Sequence, residues 1–203
     1  MNNIQALAEL QERRKGIATT HNGVRYRSRL EAKWAEFFRL LGWRAFYEPF
    51  DLDGYIPDFI LHGHKQQILV EVKPVSGMDD PLFKETTAKI EQSGWQHEAL
   101  IVSYFLPEAD DELCVGWLAE YYSATVFADE NCGGGFGWDF APFDNGGGRV
   151  GFNHLSGGYC NRITGHSDGG HRGICTDTST VHWKSLIEIW WRDAGNAVQW
   201  RAP

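Results

Sequence analysis

Three ionisable residues interrupt two apolar runs in YIPDFILHGHKQQILVEVK (Tyr55–Lys73): Asp58 in the first run, Glu71 and Lys73 in the second. If His64 and Lys65 form the tip of a hairpin, Asp58 falls opposite Glu71. Strand alternation then sets Lys73 on the same face, two residues further along. Facing carboxylates repel, so a sheet built only for packing would avoid them, and Asp58→Ala would relieve that repulsion in the metal-free protein. A divalent cation removes the objection. Hard oxygen ligands suit Mg²⁺ (or Mn²⁺), and Mg²⁺ commonly keeps several waters and takes only one or two protein carboxylates. A neighbouring ammonium can orient or deprotonate an attacking water, while the cation offsets charge on a phosphate in the transition state. Phosphodiester hydrolysis is the reaction these groups suit best.

The elements that must position these groups are legible on either side. Residues 3–15 have helical spacing of Ile4, Leu7, Ala8 and Leu10, and Gly16 and the polar stretch TTHNG follow. From Ser28 a second helix carries Leu30, Trp34, Phe37, Phe38 and Leu41 on one stripe and stops at Gly42. Strands are expected at Arg44–Phe50, Tyr55–Leu61, Gln67–Lys73 and Ala99–Phe105, with turns at Asp51–Gly54 and His62–Lys65. Asp80 can cap a helix with Pro81 in its first turn, running to about Gln92. Helix, three strands, helix, strand predicts an α/β fold: a mixed central sheet flanked by helices.

IPDF (Ile56–Phe59) followed by VEVK (Val70–Lys73) resembles the signature of the PD-(D/E)XK nuclease superfamily, which includes restriction endonucleases and junction resolvases. The helix YRSRLEAKWAEFFRLLGW (Tyr26–Trp43) is similar to the first core helix of such families, in which a Glu adds a metal contact; Glu31 holds that position. The resemblance spans about residues 26–105. It also extends to small phage-encoded members with a cysteine-containing tail. It implies a restriction-endonuclease-like core, a metal set of Asp58, Glu71, the Val72 carbonyl and Glu31, and Lys73 positioning or activating water. The implied function is a metal-dependent DNA endonuclease, with a structure-specific substrate as one form. A catalytically inactive DNA-binding or protein-interaction module that keeps the fold is the alternative. Junction-cleaving members are commonly dimers, so a homodimer belongs to the same set of expectations.

The chain has 203 residues, 42% hydrophobic and 14% aromatic, which suits one ordinary domain with a small appended module. No apolar run approaches a membrane span, and no secretory leader is visible at the N-terminus. Four scattered cysteines without CxxC pairing make a reducing cytoplasm the default expectation. The net charge of -8 is unevenly spread: residues 1–45 hold nine Lys/Arg against four Glu. A basic segment on an acidic protein suits an anionic partner contacted locally. Arg25, Arg27 and Arg29 at the start of the Glu31 helix, and Lys84 on the later one, are the candidate DNA contacts, with solvated surface charge as the plainer reading.

After Pro107 the character changes. A nuclease-like core over 1–128 gives way to a Gly-rich extension over 129–203, in which residues 132–173 hold 14 of the 23 glycines. A short helix near Gly116–Tyr122, a strand at Thr125–Ala128 and a long loop-rich stretch are expected. Cys132, Cys160, His166, His171 and Cys175, with His154 a poorer candidate, offer ligands for a structural Zn²⁺. Their spacing forms no paired knuckle, so a packed loop facing the substrate is the plainer reading. A last helix is expected from the shared face of Trp183, Ile187, Trp190, Trp191, Ala194 and Val198.

Overall fold

The structure, a computed structural model, describes residues 16–122, 135–156, 160–165 and 180–199. The expected helix over 3–15 and strand over Thr125–Ala128 lie outside these residues. So do Cys132, His166, His171 and Cys175.

The described chain opens with a two-stranded hairpin, β1 (Thr19–His21) and β2 (Val24–Tyr26), where the sequence shows only a polar stretch. Asn22 and Gly23 both take positive φ at its tip, a conformation that this residue pair tolerates. Helix α1 (Arg29–Leu40) follows, and its apolar stripe is buried as expected: Trp34, Phe37, Phe38 and Leu41 are at most 7% exposed. Three short strands come next, β3 (Ala45–Tyr47), β4 (Phe59–His62) and β5 (Gln67–Val72). Helix α2 (Pro81–Gln92) then crosses to β6 (Ala99–Val102), which pairs parallel to β5. Asp80 caps α2 as read from the sequence, accepting from Leu82 N–H at 3.0 Å, and Pro81 occupies the first turn, where its missing N–H costs nothing.

Beyond Pro107 the structure departs from the reading. Gly116–Tyr122 is not helical. It belongs to a long strand, β8 (Glu112–Tyr122), with the small β7 (Glu108–Ala109) beside it. The Gly-rich stretch contains another long strand, β9 (Gly135–Asp144), and a short β10 (Gly151–Phe152). These extend the central sheet, whose order is β10-β9-β8-β6-β5-β4-β3. The fold is therefore α/β with a mixed sheet, antiparallel except at β5–β6. At Gly116 a Cβ would stand 2.2 Å from the Ile101 carbonyl oxygen, so only glycine lets β8 approach β6 this closely.

The sheet has a core on each face. Phe59, Leu61, Val70, Val72, Leu100 and Val102 pack toward α1 and the last helix, α3 (Thr180–Ala197). Ile60, Leu69, Ala99, Ile101 and Trp117 pack toward Leu82, Phe83 and Ile90 of α2. Helix α3 buries Ile187 and Ala194, and Val198 just beyond it, and sets Trp191 against Trp34 at 4.7 Å between ring centroids. Among the described residues no helix is long and apolar enough to cross a membrane.

One segment of the extension is tied down by charge. The Arg162 guanidinium, about 10% exposed, reaches Glu98 Oε1 at 2.6 Å and also pairs with Glu120, and the Arg162 carbonyl accepts from His64 N–H at 2.8 Å. Residues 160–165 are thereby fastened to the tip of the β4–β5 hairpin. Arg162→Ala would leave the buried Glu98 and the partly buried Glu120 without the cation they share. It is expected to cost about 3–5 kcal/mol, read as a lowered urea midpoint.

Candidate active site

The hairpin register is the one expected from the tip. Phe59 pairs with Val70, Ile60 with Leu69 and Leu61 with Ile68, which sets Asp58, one residue before β4, across from Glu71. The turn at residues 63–66 is closed by the Gly63 N–H donating to the Gln66 carbonyl at 3.0 Å. Asp58 and Glu71 are 1% and 3% exposed, the kind of burial carboxylates accept only with partners.

Both carboxylates have such partners. Asp58 Oδ2 accepts from the Val72 N–H and from Lys73 Nζ, each at 2.8 Å. Asp58 Oδ1 takes the Arg27 guanidinium. Lys73 Nζ also pairs with Glu71 Oε2, so a single ammonium bridges the two carboxylates. The other Glu71 oxygen accepts from the Tyr55 hydroxyl, which the Asp51–Gly54 turn and the Leu52–Tyr55 bridge deliver to it. Burial, with the Asp58 charge adding to it and Lys73 opposing, pushes the Glu71 carboxyl up to about 7. Burial on its own would lower Lys73, but the two carboxylates outweigh it and hold the ammonium above its ordinary value. Burial and the Glu71 charge push the Tyr55 hydroxyl far up, so it stays a donor.

Glu31 sits at the third residue of α1 and closes the helix start. The Ser28 hydroxyl accepts from the Glu31 N–H at 3.0 Å and donates to Glu31 Oε1 at 2.8 Å. Glu31 Oε2 accepts from the Arg27 N–H and the Tyr47 hydroxyl. This is a variant of the Ser-x-x-Glu capping box, a signal present in SRLE (Ser28–Glu31) that the sequence reading did not use.

Glu31, Asp58, Val72 and Lys73 line one cleft of about 540 Å³, together with Arg27 and Lys89. Glu71 is not on the cleft wall and lies behind Lys73. Among the described residues no three His, Cys, Asp or Glu side chains stand together as a ready ligand set. The donor chemistry still fits a hard divalent cation: two buried carboxylates already converge on one positive group, and Mg²⁺ takes the rest of its shell from water. Asp58 and Glu71 would hold it, with Glu31 across the same cleft.

The candidate DNA contacts separate. Arg29, the first residue of α1, lines the cleft, and Arg25 is exposed on β2. Arg27 is held inside the site by Asp58 and, at 2.9 Å, by Glu48. Lys84 is exposed and stands 3.6 Å from Asp79, with nothing to distinguish it from solvated surface charge. Of the zinc candidates within the described residues, Cys160 is a free, half-buried thiol and His154 is buried with Nε2 at 3.1 Å from the Gly137 carbonyl. Tyr55 and Tyr47, which position the acidic groups, left no signal in the sequence reading. Compared with known proteins, the chain matches no family model, no curated protein and no solved structure.

Proposed function

We propose that this chain is a divalent-cation-dependent endonuclease that hydrolyses phosphodiester bonds in DNA, with a restriction-endonuclease-like core formed by α1, β3–β5, α2 and β6. The observation that carries the proposal is the convergence of Asp58, Glu71 and Lys73 from two adjacent strands, with Lys73 Nζ touching both carboxylates at the end of an open cleft. The order of elements and the PD…ExK residues agree with that superfamily's arrangement.

Mg²⁺ (or Mn²⁺), when bound by Asp58 and Glu71, supplies electrophilic stabilisation of charge on the phosphate. The chain's own groups do the positioning. The Val72 N–H and Tyr55 hydroxyl fix one oxygen of each carboxylate, so neither has to reorganise when the charge pattern changes. Lys73 retains its proton in the metal-free protein, because two carboxylates surround it. Its ammonium therefore orients water or a phosphate oxygen, and it nears base strength only once those carboxylates are otherwise neutralised. Arg29 and Lys89 on the cleft wall suit a polyanionic backbone.

The test is cleavage of a panel of supercoiled duplex, branched, single-stranded and RNA substrates in Mg²⁺. Cutting of at least one DNA form, abolished by EDTA and restored by excess Mg²⁺, is expected. A panel untouched in both Mg²⁺ and Mn²⁺ would refute the reading. Preference for the branched substrate would make a homodimer the expected assembly, checked by light scattering.

A further inference from the structure

Every oxygen of Asp58 is already in use. Oδ2 is shared between a backbone N–H and the Lys73 ammonium, and Oδ1 is taken by Arg27. A divalent cation that binds Asp58 arrives beside two positive groups, and their repulsion favours release of one of them. The Val72 N–H is fixed in β5 and cannot leave. Lys73 is 28% exposed and bridges two carboxylates, whereas the Arg27 side chain is 53% exposed and sits at the cleft wall. Of the three partners, Arg27 gives way at least cost.

Its backbone is built to stay in place while its side chain moves. Arg27 N–H donates to Glu31 Oε2 at 3.1 Å and to the Tyr47 hydroxyl at 2.9 Å, which pins the residue between β2 and α1. The guanidinium is shared between Asp58 and Glu48, with Glu31 at 3.9 Å. Four carboxylates (Glu31, Glu48, Asp58, Glu71) thus face two cations (Arg27, Lys73), a formal charge two short of neutrality when all are ionised. A divalent cation that replaces Arg27 leaves the cluster one charge short instead of two, so the exchange is favourable in charge.

We propose that Arg27 is a built-in counter-ion for Asp58 that competes with the divalent cation and, once displaced, turns into the cleft to contact a substrate phosphate. The proposal rests on the nuclease reading of the same site. It makes Arg27 a positioning residue that links metal loading to substrate engagement, because the guanidinium serves one anion or the other.

The experiment uses the full chain and Mn²⁺ alone, titrated by electron paramagnetic resonance without nucleic acid. Arg27→Gln keeps length and removes charge, and it is expected to bind Mn²⁺ about two- to fivefold tighter than wild type, the scale of one exposed ion pair. Arg27→Lys, which keeps the charge, should stay near wild type and controls for folding. With Ca²⁺ in place of Mn²⁺, Arg27→Gln should bind a DNA duplex several-fold more weakly. Equal or weaker Mn²⁺ binding by Arg27→Gln would overturn the counter-ion role, and wild-type cleavage would leave the nuclease reading standing. No Mn²⁺ binding by wild type at millimolar concentration would overturn both.

Discussion

Lys73→Met is expected to abolish cleavage and to weaken the metal-free protein in a pH-dependent way. Lys73 Nζ bridges Asp58 Oδ2, at 2.8 Å, and Glu71 Oε2. Without it, two buried carboxylates face each other with only Arg27, the Val72 N–H and Tyr55 as partners. Burial already holds Glu71 up at about 7, and losing the ammonium moves it higher. The unfolded chain releases that proton near pH 4.3. Between the two values the folded state binds more protons than the unfolded one, so stability falls as pH rises and the whole penalty is felt above the folded value. Wild-type Glu71 shares this loss up to about pH 7, so the two proteins should diverge only above that value, and at pH 8 the variant should fall short by about 1–2 kcal/mol more than at pH 5, one pH unit of Glu71 linkage. Urea midpoints at the two pH values in EDTA measure this. Added Mg²⁺ should recover more stability in the variant than in wild type, because it replaces a missing positive charge. A loss that is equal at both pH values would mean that Lys73 is not what reconciles the carboxylates.

Asp58→Ala is expected to destabilise the metal-free protein, the reverse of what carboxylate repulsion alone implies. The repulsion is already answered by Lys73 and Arg27. Removing the side chain strands the Val72 N–H, which is buried and has Asp58 Oδ2 as its acceptor, and leaves Lys73 with one partner fewer. An orphaned buried donor costs about 1–3 kcal/mol, and the broken charge pairs add to that. Asp58→Asn keeps an oxygen for the Val72 N–H and should lose only about half as much, on the order of 1–2 kcal/mol. Both variants should lose cleavage, since neither retains the anionic ligand. Thermal melts of the two side by side decide the point: if Ala is as stable as wild type, the hydrogen bond to Val72 contributes nothing.

The N-terminal half of the fold was legible because each element carries its own local signal. Ser28 and Asp80 are caps, Gly42 takes φ +72° after α1, and the polar tip at His64 and Lys65 fixes a register that a one-residue slip would have inverted. The second half hid its strands. Residues 113–119 of β8 are buried on both faces, so the period-two alternation that marks a strand is absent. In β9 the glycines mask the strand, yet Phe136, Trp138 and Phe140 alternate onto the α2 face, and Pro142 sits beside the bulge between Cys114 and Trp117, where a missing N–H is tolerated. The site was half legible in the same sense. Asp58, Glu71 and Lys73 announce themselves by interrupting apolar runs, whereas Tyr55 reaches Glu71 through a turn whose direction no local pattern encodes. Arg27, read as a DNA contact, also reaches Asp58, a pairing that only the assembled hairpin and helix start reveal.

The role of Asp58 in metal-dependent cleavage is tested most directly by one comparison: nicking of supercoiled plasmid in Mg²⁺ by wild type and by Asp58→Asn, purified in parallel and both shown to be folded. Wild type should convert the plasmid at a rate that follows Mg²⁺ concentration and vanishes in EDTA, while Asp58→Asn falls at least about a hundredfold, the scale of losing a group that acts in the transition state. Equal rates from the two proteins would contradict it, since cleavage that does not need the Asp58 carboxylate is not performed by this site.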